Sequence, residues 1–144
     1  METPDYTRIE LNISNKGLTE LPDDLHLYID LQTLHCKINL LRQLDNLPDG
    51  LIELYCWNNE LTLLDNLPPN IKKLWCDNNN ITHLDNLPQN LEYLCCSYNK
   101  ITHLDNLPQS LIELDCSHNN ITQLDNLPQN IKELHCHYNN ITQL

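Results

Sequence analysis

From Leu31 onward, apolar and polar positions recur with a period of 20 residues. Successive blocks read LQTLHCKINLLRQLDNLPDG, LIELYCWNNELTLLDNLPPN, IKKLWCDNNNITHLDNLPQN, LEYLCCSYNKITHLDNLPQS and LIELDCSHNNITQLDNLPQN, followed by a partial IKELHCHYNNITQL. The shared pattern is L-x-x-L-x-C-x-x-N-x-I-T-x-L-D-N-L-P-x-x, five times without insertion and the start of a sixth. Within each block the fourth and sixth residues, such as Leu54 and Cys56, alternate as on a strand. The apolar positions that follow fit neither strand nor helix spacing. A block of this length is too short for a strand, a full helix and two loops. Each unit is therefore expected to be a short strand, a turn and an irregular return. Pro48, Pro68, Pro88, Pro108 and Pro128 suit a polyproline-like segment in that return.

One such unit cannot bury its own leucines, but stacked units can, which predicts a solenoid with a parallel sheet along one face. The expected organisation is a single domain over residues 1–144. Residues 1–30 form an N-terminal cap and a degenerate first repeat, 31–130 the five full repeats and 131–144 a partial sixth. The degenerate copy, LNISNKGLTELP, supplies Leu11, Ile13, Leu18, Leu21 and Pro22; it is about three residues longer and has Lys16 where Asn is expected.

This pattern resembles the leucine-rich repeat, L-x-x-L-x-L-x-x-N/C-x-L, over nearly the whole chain. The resemblance implies a leucine-rich-repeat solenoid, α/β by convention but mostly β, with its parallel sheet on the concave face and few or no helices. The short L-P-containing unit is similar to repeats of bacterial effectors delivered into host cells. The Asn- and Ile-rich composition is similar to repeat proteins of giant viruses and amoebae. Two departures from the effector pattern stand out: Cys replaces the third leucine, and no ubiquitin-ligase domain follows.

Composition narrows the function. Leu occurs 30 times and Asn 21 times, while Ala, Val and Phe are absent, which disfavours a helical bundle. A formal charge of -12 argues against nucleic-acid binding, which needs a basic stripe, and against an anionic membrane surface. No apolar run is long enough to span a bilayer, and residues 1–8 do not read as a signal peptide. A reducing, cytoplasmic setting is expected, the host cytoplasm if the chain is viral or an effector.

Stacking turns each repeated position into a ladder with rungs about 4.8 Å apart. Cys36, Cys56, Cys76, Cys96, Cys116 and Cys136 are expected to face inward as small hydrophobes, with Cys95 alone readily alkylated. A straight row offers no tetrahedral zinc shell. Asn39, Asn59, Asn79, Asn99, Asn119 and Asn139 are expected to satisfy backbone groups at the bend, as the family's inward asparagine does. Asn78, beside that row, is expected at the surface. Asp45, Asp65, Asp85, Asp105 and Asp125 stack like charges at roughly 0.8 kcal/mol per adjacent pair in water. Either each accepts backbone N–H bonds in D-N-L-P, or the row attracts a divalent cation. His83 and His103 share a position just after the turn and are expected to face solvent.

Function belongs to the positions that vary among repeats: the third, fifth, seventh and eighth, expected to face away from the core along the strand. They carry both tryptophans and four of the six tyrosines. The candidate partner-binding set is Tyr55, Trp57, Lys73, Trp75, Asp77, Tyr93, Tyr98, Asp115, His118, His135, His137 and Tyr138. Exposed aromatics on a rigid surface are what protein-binding hot spots use. The other reading is that the rings simply stack across strands.

Catalysis is not expected: in the row Cys95, Asp115, His135, the aspartate separates the nucleophile from its base. His118, His135 and His137 converge poorly for a metal, so neither cofactor nor metal is expected. The reading is a non-enzymatic module that binds a protein, the alternative being a repeat protein built for self-assembly. Because Ile131, Leu134, Cys136, Ile141 and Leu144 lack a following repeat, a homodimer through residues 131–144 is a further expectation.

Overall fold

The computed structural model describes residues 4–142. Seven three-residue strands form one parallel sheet in chain order. They are β1 (Glu10–Asn12), β2 (Thr33–His35), β3 (Glu53–Tyr55), β4 (Lys73–Trp75), β5 (Tyr93–Cys95), β6 (Glu113–Asp115) and β7 (Glu133–His135). Leu34, Leu54, Leu74, Leu94, Leu114 and Leu134 lie in register, so each full repeat advances the chain by one rung. Leu11 pairs with Leu34, a separation three residues longer than the others, as the degenerate copy leads one to expect. A single 3-10 turn, Leu25–Leu27, is the one helical element among the described residues.

The strands are short because the chain turns soon after the cysteine. The inter-rung ladder runs past each strand, with Cys56 N–H donating to Trp75 O at 2.9 Å and Asn58 N–H to Asp77 O at 3.0 Å. Two residues after the cysteine the backbone enters the left-handed region: Ile38, Asn58, Asn78, Tyr98, His118 and Tyr138 have φ between 52° and 56°. The seventh and eighth positions are thus turn residues rather than strand residues. The Asn of each D-N-L-P, from Asn46 to Asn126, is also left-handed. Asn tolerates that region better than most side chains, which explains its recurrence there. The following Pro is buried and its carbonyl closes a further turn, as from Leu91 N–H to Pro88 O at 3.1 Å.

Repeat positions one, four, six, eleven and fourteen make a continuous core. Leu51, Leu54, Cys56 and Leu61 are fully buried, as are Ile71, Leu74, Cys76 and Ile81 one rung on. Removing a Leu or Ile side chain from water contributes about 1.5–3 kcal/mol, and every rung repeats the same set. The last described rung is different: Ile131, Leu134, Cys136 and Ile141 are only partly buried. Leu144, expected to complete that rung, and residues 1–3 of the expected cap lie outside the described residues.

Asparagine pegs hold the rungs together. Asn79 Oδ1 accepts the N–H of Leu61 at 3.0 Å, and its Nδ2 donates to Cys76 O at 3.0 Å and Cys56 O at 3.2 Å. Asn59, Asn99 and Asn119 repeat the pattern. Lys16 cannot do this in the first copy. Asn39 compensates by accepting the N–H groups of both Lys16 and Leu18.

Candidate interaction surface

The strands alternate faces, so the third and fifth residues project away from the buried leucines. In the fifth row, His35, Tyr55 and Trp75 stack face to face, at 4.4 Å and then 4.2 Å between ring centroids, with planes within 16° and 6°. The parallel stack ends at Trp75, because the next fifth-position residue is Cys95. Tyr93, from the third row, leans against Trp75 instead, at 4.7 Å and 40°. The sequence offered two readings of these rings, stacking across strands and presenting a surface. They do stack, and Trp75 and Tyr93 remain half-buried rather than covered.

A second row grows from the turn, where Tyr98, His118 and Tyr138 stack at 4.0 and 4.3 Å. Their left-handed backbone lifts them off the sheet, leaving Tyr98 51% and Tyr138 74% exposed. Trp57, Asp77 and His137 come from the seventh position, just beyond the strands. Lys37 Nζ lies 4.8 Å above the Trp57 ring. His137 meets Ser117 Oγ at 3.0 Å, and His135 meets the Glu133 carboxylate at 3.0 Å. His118, His135 and His137 are neighbours, with centroids 5.6 and 6.5 Å apart along the series. Even so, no group of three or more His, Cys, Asp or Glu among the described residues is placed to hold a metal.

The twelve candidate residues thus form two aromatic rows rather than one patch. Tyr55, Trp75 and Tyr93 belong to the first, and Tyr98, His118 and Tyr138 to the second. Asp115 continues the first row's register beyond Cys95, Asp77 holds the seventh position, and Lys73 pairs with Glu53 at 3.0 Å. Burial raises the pKa of Asp77, and burial followed by the hydrogen bond to Glu53 raises that of Tyr55.

The ladders need two corrections. The Asp row caps no turn: among the described residues, none of Asp45, Asp65, Asp85, Asp105 and Asp125 accepts a backbone N–H. Asp45 accepts side-chain amides from Gln43 and Asn66, and the other four carboxylates stand exposed in water. Left-handed Asn makes that turn without help from the aspartate. The thiol expectation is also too narrow, because Cys136 is partly exposed as well as Cys95. Burial pushes the Cys95 thiol up to about 11 and that of Cys36 to about 12, so neither is activated. The thiols of Cys56 and Cys76 each approach a carbonyl of the next strand, at 3.4 Å. His83 and His103 are exposed as expected, each against its neighbouring threonine hydroxyl.

Two features escaped the sequence reading. The twentieth residue forms a second polar ladder: Asn70, Asn90 and Asn130 donate to Asp49 O, Pro69 O and Gln109 O, and Ser110 to Gln89 O. The recurrence of Asn and Ser there was the available signal. Second-position residues also reach the outer face, where Glu92 and Ile112 join Lys73, Trp75, Tyr93 and Glu113 around a depression of about 300 Å³. An isoleucine in a position otherwise held mostly by polar residues pointed to it.

No protein-family model matches the sequence, and no curated protein matches it. Solved structures do. A Shigella effector LRR domain is similar at 32% identity and a TM-score of 0.86, over 96% of this chain and 62% of that one. YopM, a leucine-rich effector protein from Yersinia pestis, gives 34% identity and 0.86 over 96% of this chain and 42% of that one. The functional domain of InlJ from Listeria monocytogenes, which includes a cysteine ladder, gives 37% and 0.80 over 94% of this chain and 31% of that one. The chain therefore spans less than two thirds of each of these structures. With its 20-residue period, its register of one strand per repeat and its asparagine pegs, the chain is a leucine-rich-repeat protein of the short-repeat kind, similar to bacterial effectors.

Proposed function

We propose that this chain is a non-enzymatic protein-interaction module that binds a protein partner across its sheet face and the adjoining turns. The observation that carries this reading is the row His35, Tyr55, Trp75, Tyr93, packed ring to ring along the outer face of a rigid parallel sheet. Stacking fixes the rings before any partner arrives, so little side-chain entropy is lost on contact. Trp57, Lys73, Asp77, Asp115 and the Tyr98–His118–Tyr138 row with His135 and His137 extend the contact surface. Similarity to effector repeat domains agrees with such a module acting in a host cytoplasm, as do seven free cysteines.

Capture from cell extract tests the reading. The expected result is a partner retained by the wild-type chain and lost by the Trp57→Ala/Trp75→Ala double variant, with sedimentation unchanged. If the double variant keeps the partner, the aromatic surface is not the contact. The self-assembly alternative attaches to the partly buried rung of Ile131, Leu134, Cys136 and Ile141. Under that alternative, sedimentation equilibrium at micromolar concentration gives a mass above 16.9 kDa. A clean monomer refutes it.

A further inference from the structure

The charges of the outer face are not evenly matched. Glu53 pairs with Lys73, while Glu10 and Glu133 lie against the imidazoles of His35 and His135. Lys37 lies over Trp57; of the second-position lysines, Lys72 is held by Glu92 at 3.2 Å, and Lys132, one rung beyond Ile112, makes no ion pair among the described residues. Among the described residues, Asp77, Glu113 and Asp115 have no cationic partner. They sit where the parallel ring stack breaks off. Tyr55 covers one face of Trp75 at 6°, whereas Tyr93 meets the other at 40°. Rings at that angle do not close on each other as parallel rings do. Beside them opens the 300 Å³ depression, walled by Trp75 and Tyr93, with Ile112 and the carboxylate of Glu113.

The two remaining lining residues are already neutralised. Lys73 is held by Glu53 at 3.0 Å and Glu92 by Lys72 at 3.2 Å. The depression therefore offers two aromatic walls, an aliphatic side and one unmatched carboxylate. Burial above all, with lesser contributions from the Asp115 and Glu113 carboxylates, raises the pKa of the Tyr93 hydroxyl.

We infer that this depression receives an arginine side chain of the protein partner, its guanidinium against Trp75 and Tyr93 and its donors on Glu113. This deepens the surface reading above and rests on it. Arginine fits better than lysine, because a planar guanidinium stacks on rings while presenting paired donors to a carboxylate, and because it sheds water more easily. The aromatic walls set the place, and the surplus of carboxylates sets the sign of the occupant.

The two tryptophans give two indole N–H signals in a nitrogen–proton correlation spectrum, one at the depression and one away from it. The probe is a capped peptide, acetyl-Gly-Ser-Arg-Ser-Gly-amide, with its citrulline counterpart as a neutral analogue of the same shape. The expected result is a saturable shift of the Trp75 signal, little change at Trp57, which Lys37 already covers, and no saturable response to citrulline. Glu113→Gln, at an exposed position that leaves the core intact, should weaken the arginine response about tenfold, as losing a charged hydrogen-bond partner does. No saturable shift at Trp75, an equal response to citrulline, or indifference to Glu113→Gln would overturn the proposal. If the peptide fails while partner capture still depends on Trp57 and Trp75, the arginine site falls and the surface stands. If the peptide binds as expected but the double tryptophan variant keeps its partner, the surface reading falls and takes the partner's arginine with it.

Discussion

Replacing one central peg, Asn79→Ala, isolates what holds adjacent rungs in place. The side chain makes one bond as acceptor, from Leu61 N–H, and two good ones as donor, to Cys76 O and Cys56 O. The carbonyls are not stranded by its loss, because Cys56 O also accepts from Asn59 and Cys76 O from Asn99. Leu61 N–H has no such second partner, and Leu61 is fully buried. The cost is therefore one orphaned buried donor, about 1–3 kcal/mol, plus the smaller net loss of two shared bonds. A total near 3 kcal/mol is expected. Asn139→Ala strands the equivalent donor, Ile121 N–H, also on a fully buried residue, but the place it vacates lies in the partly buried last rung and opens to water, so it should cost less, under about 1 kcal/mol. Urea unfolding followed by circular dichroism reads both, with the slope checked for constancy so that midpoints compare directly. Equal midpoints for the two variants would refute the reasoning. Asn78→Ala is a poor control although Asn78 is exposed, since φ of 52° makes Ala itself unfavourable there.

Three other outcomes follow from the same geometry. Ile38 is β-branched and left-handed at φ 56°, in a place where neighbouring repeats use Asn58 and Asn78, so Ile38→Asn should gain about 1 kcal/mol; a loss of stability in thermal melts would contradict this. Buried thiols such as Cys36, pushed up to about 12 from an ordinary 9.0, stay protonated in the native state after the unfolded chain begins to ionise. Stability should thus be intact below pH 9.0 and fall as pH climbs towards 12, by about 1.4 kcal/mol per pH unit for each such thiol; Cys76→Ala should flatten the decline by that slope, and an unchanged slope would count against it. Brief native alkylation read by intact mass should modify Cys95 and Cys136 first, faster as pH rises towards about 11 at Cys95, with Cys56, Cys76 and Cys96 protected; early labelling of those three would show that the ladder is not closed.

The fold was legible because its unit is short and repeats. Leu54 and Cys56 gave the strand, the fixed spacing of Leu54, Leu74 and Leu94 gave the register, and Asn79 gave the bend. What the sequence concealed was where the strand stops. A single repeat looks extended through Trp57 and Asn58, yet the regular strand ends at Tyr55 and Asn58 is already left-handed, although its N–H still reaches the next rung, because Asn59 draws backbone groups of two rungs towards itself. That is a contact between repeats, invisible in any one of them. The same blindness hid the depression beside Trp75, whose six lining residues come from three different repeats. The Asp row misled for the opposite reason: strict recurrence suggested a bond, but the neighbouring left-handed Asn makes the turn alone.

Site-specific photo-cross-linking tests the central claim, that a protein partner lies across the outer face of the sheet. A photoreactive phenylalanine analogue is placed at Tyr55 or Asp115 on that face, and at Leu63 or Gln123 on the return. Leu63 is 48% exposed, so the return sites are as accessible as the face. Partner adducts are expected from positions 55 and 115 and none from 63 and 123. Adducts from the return positions alone would contradict it.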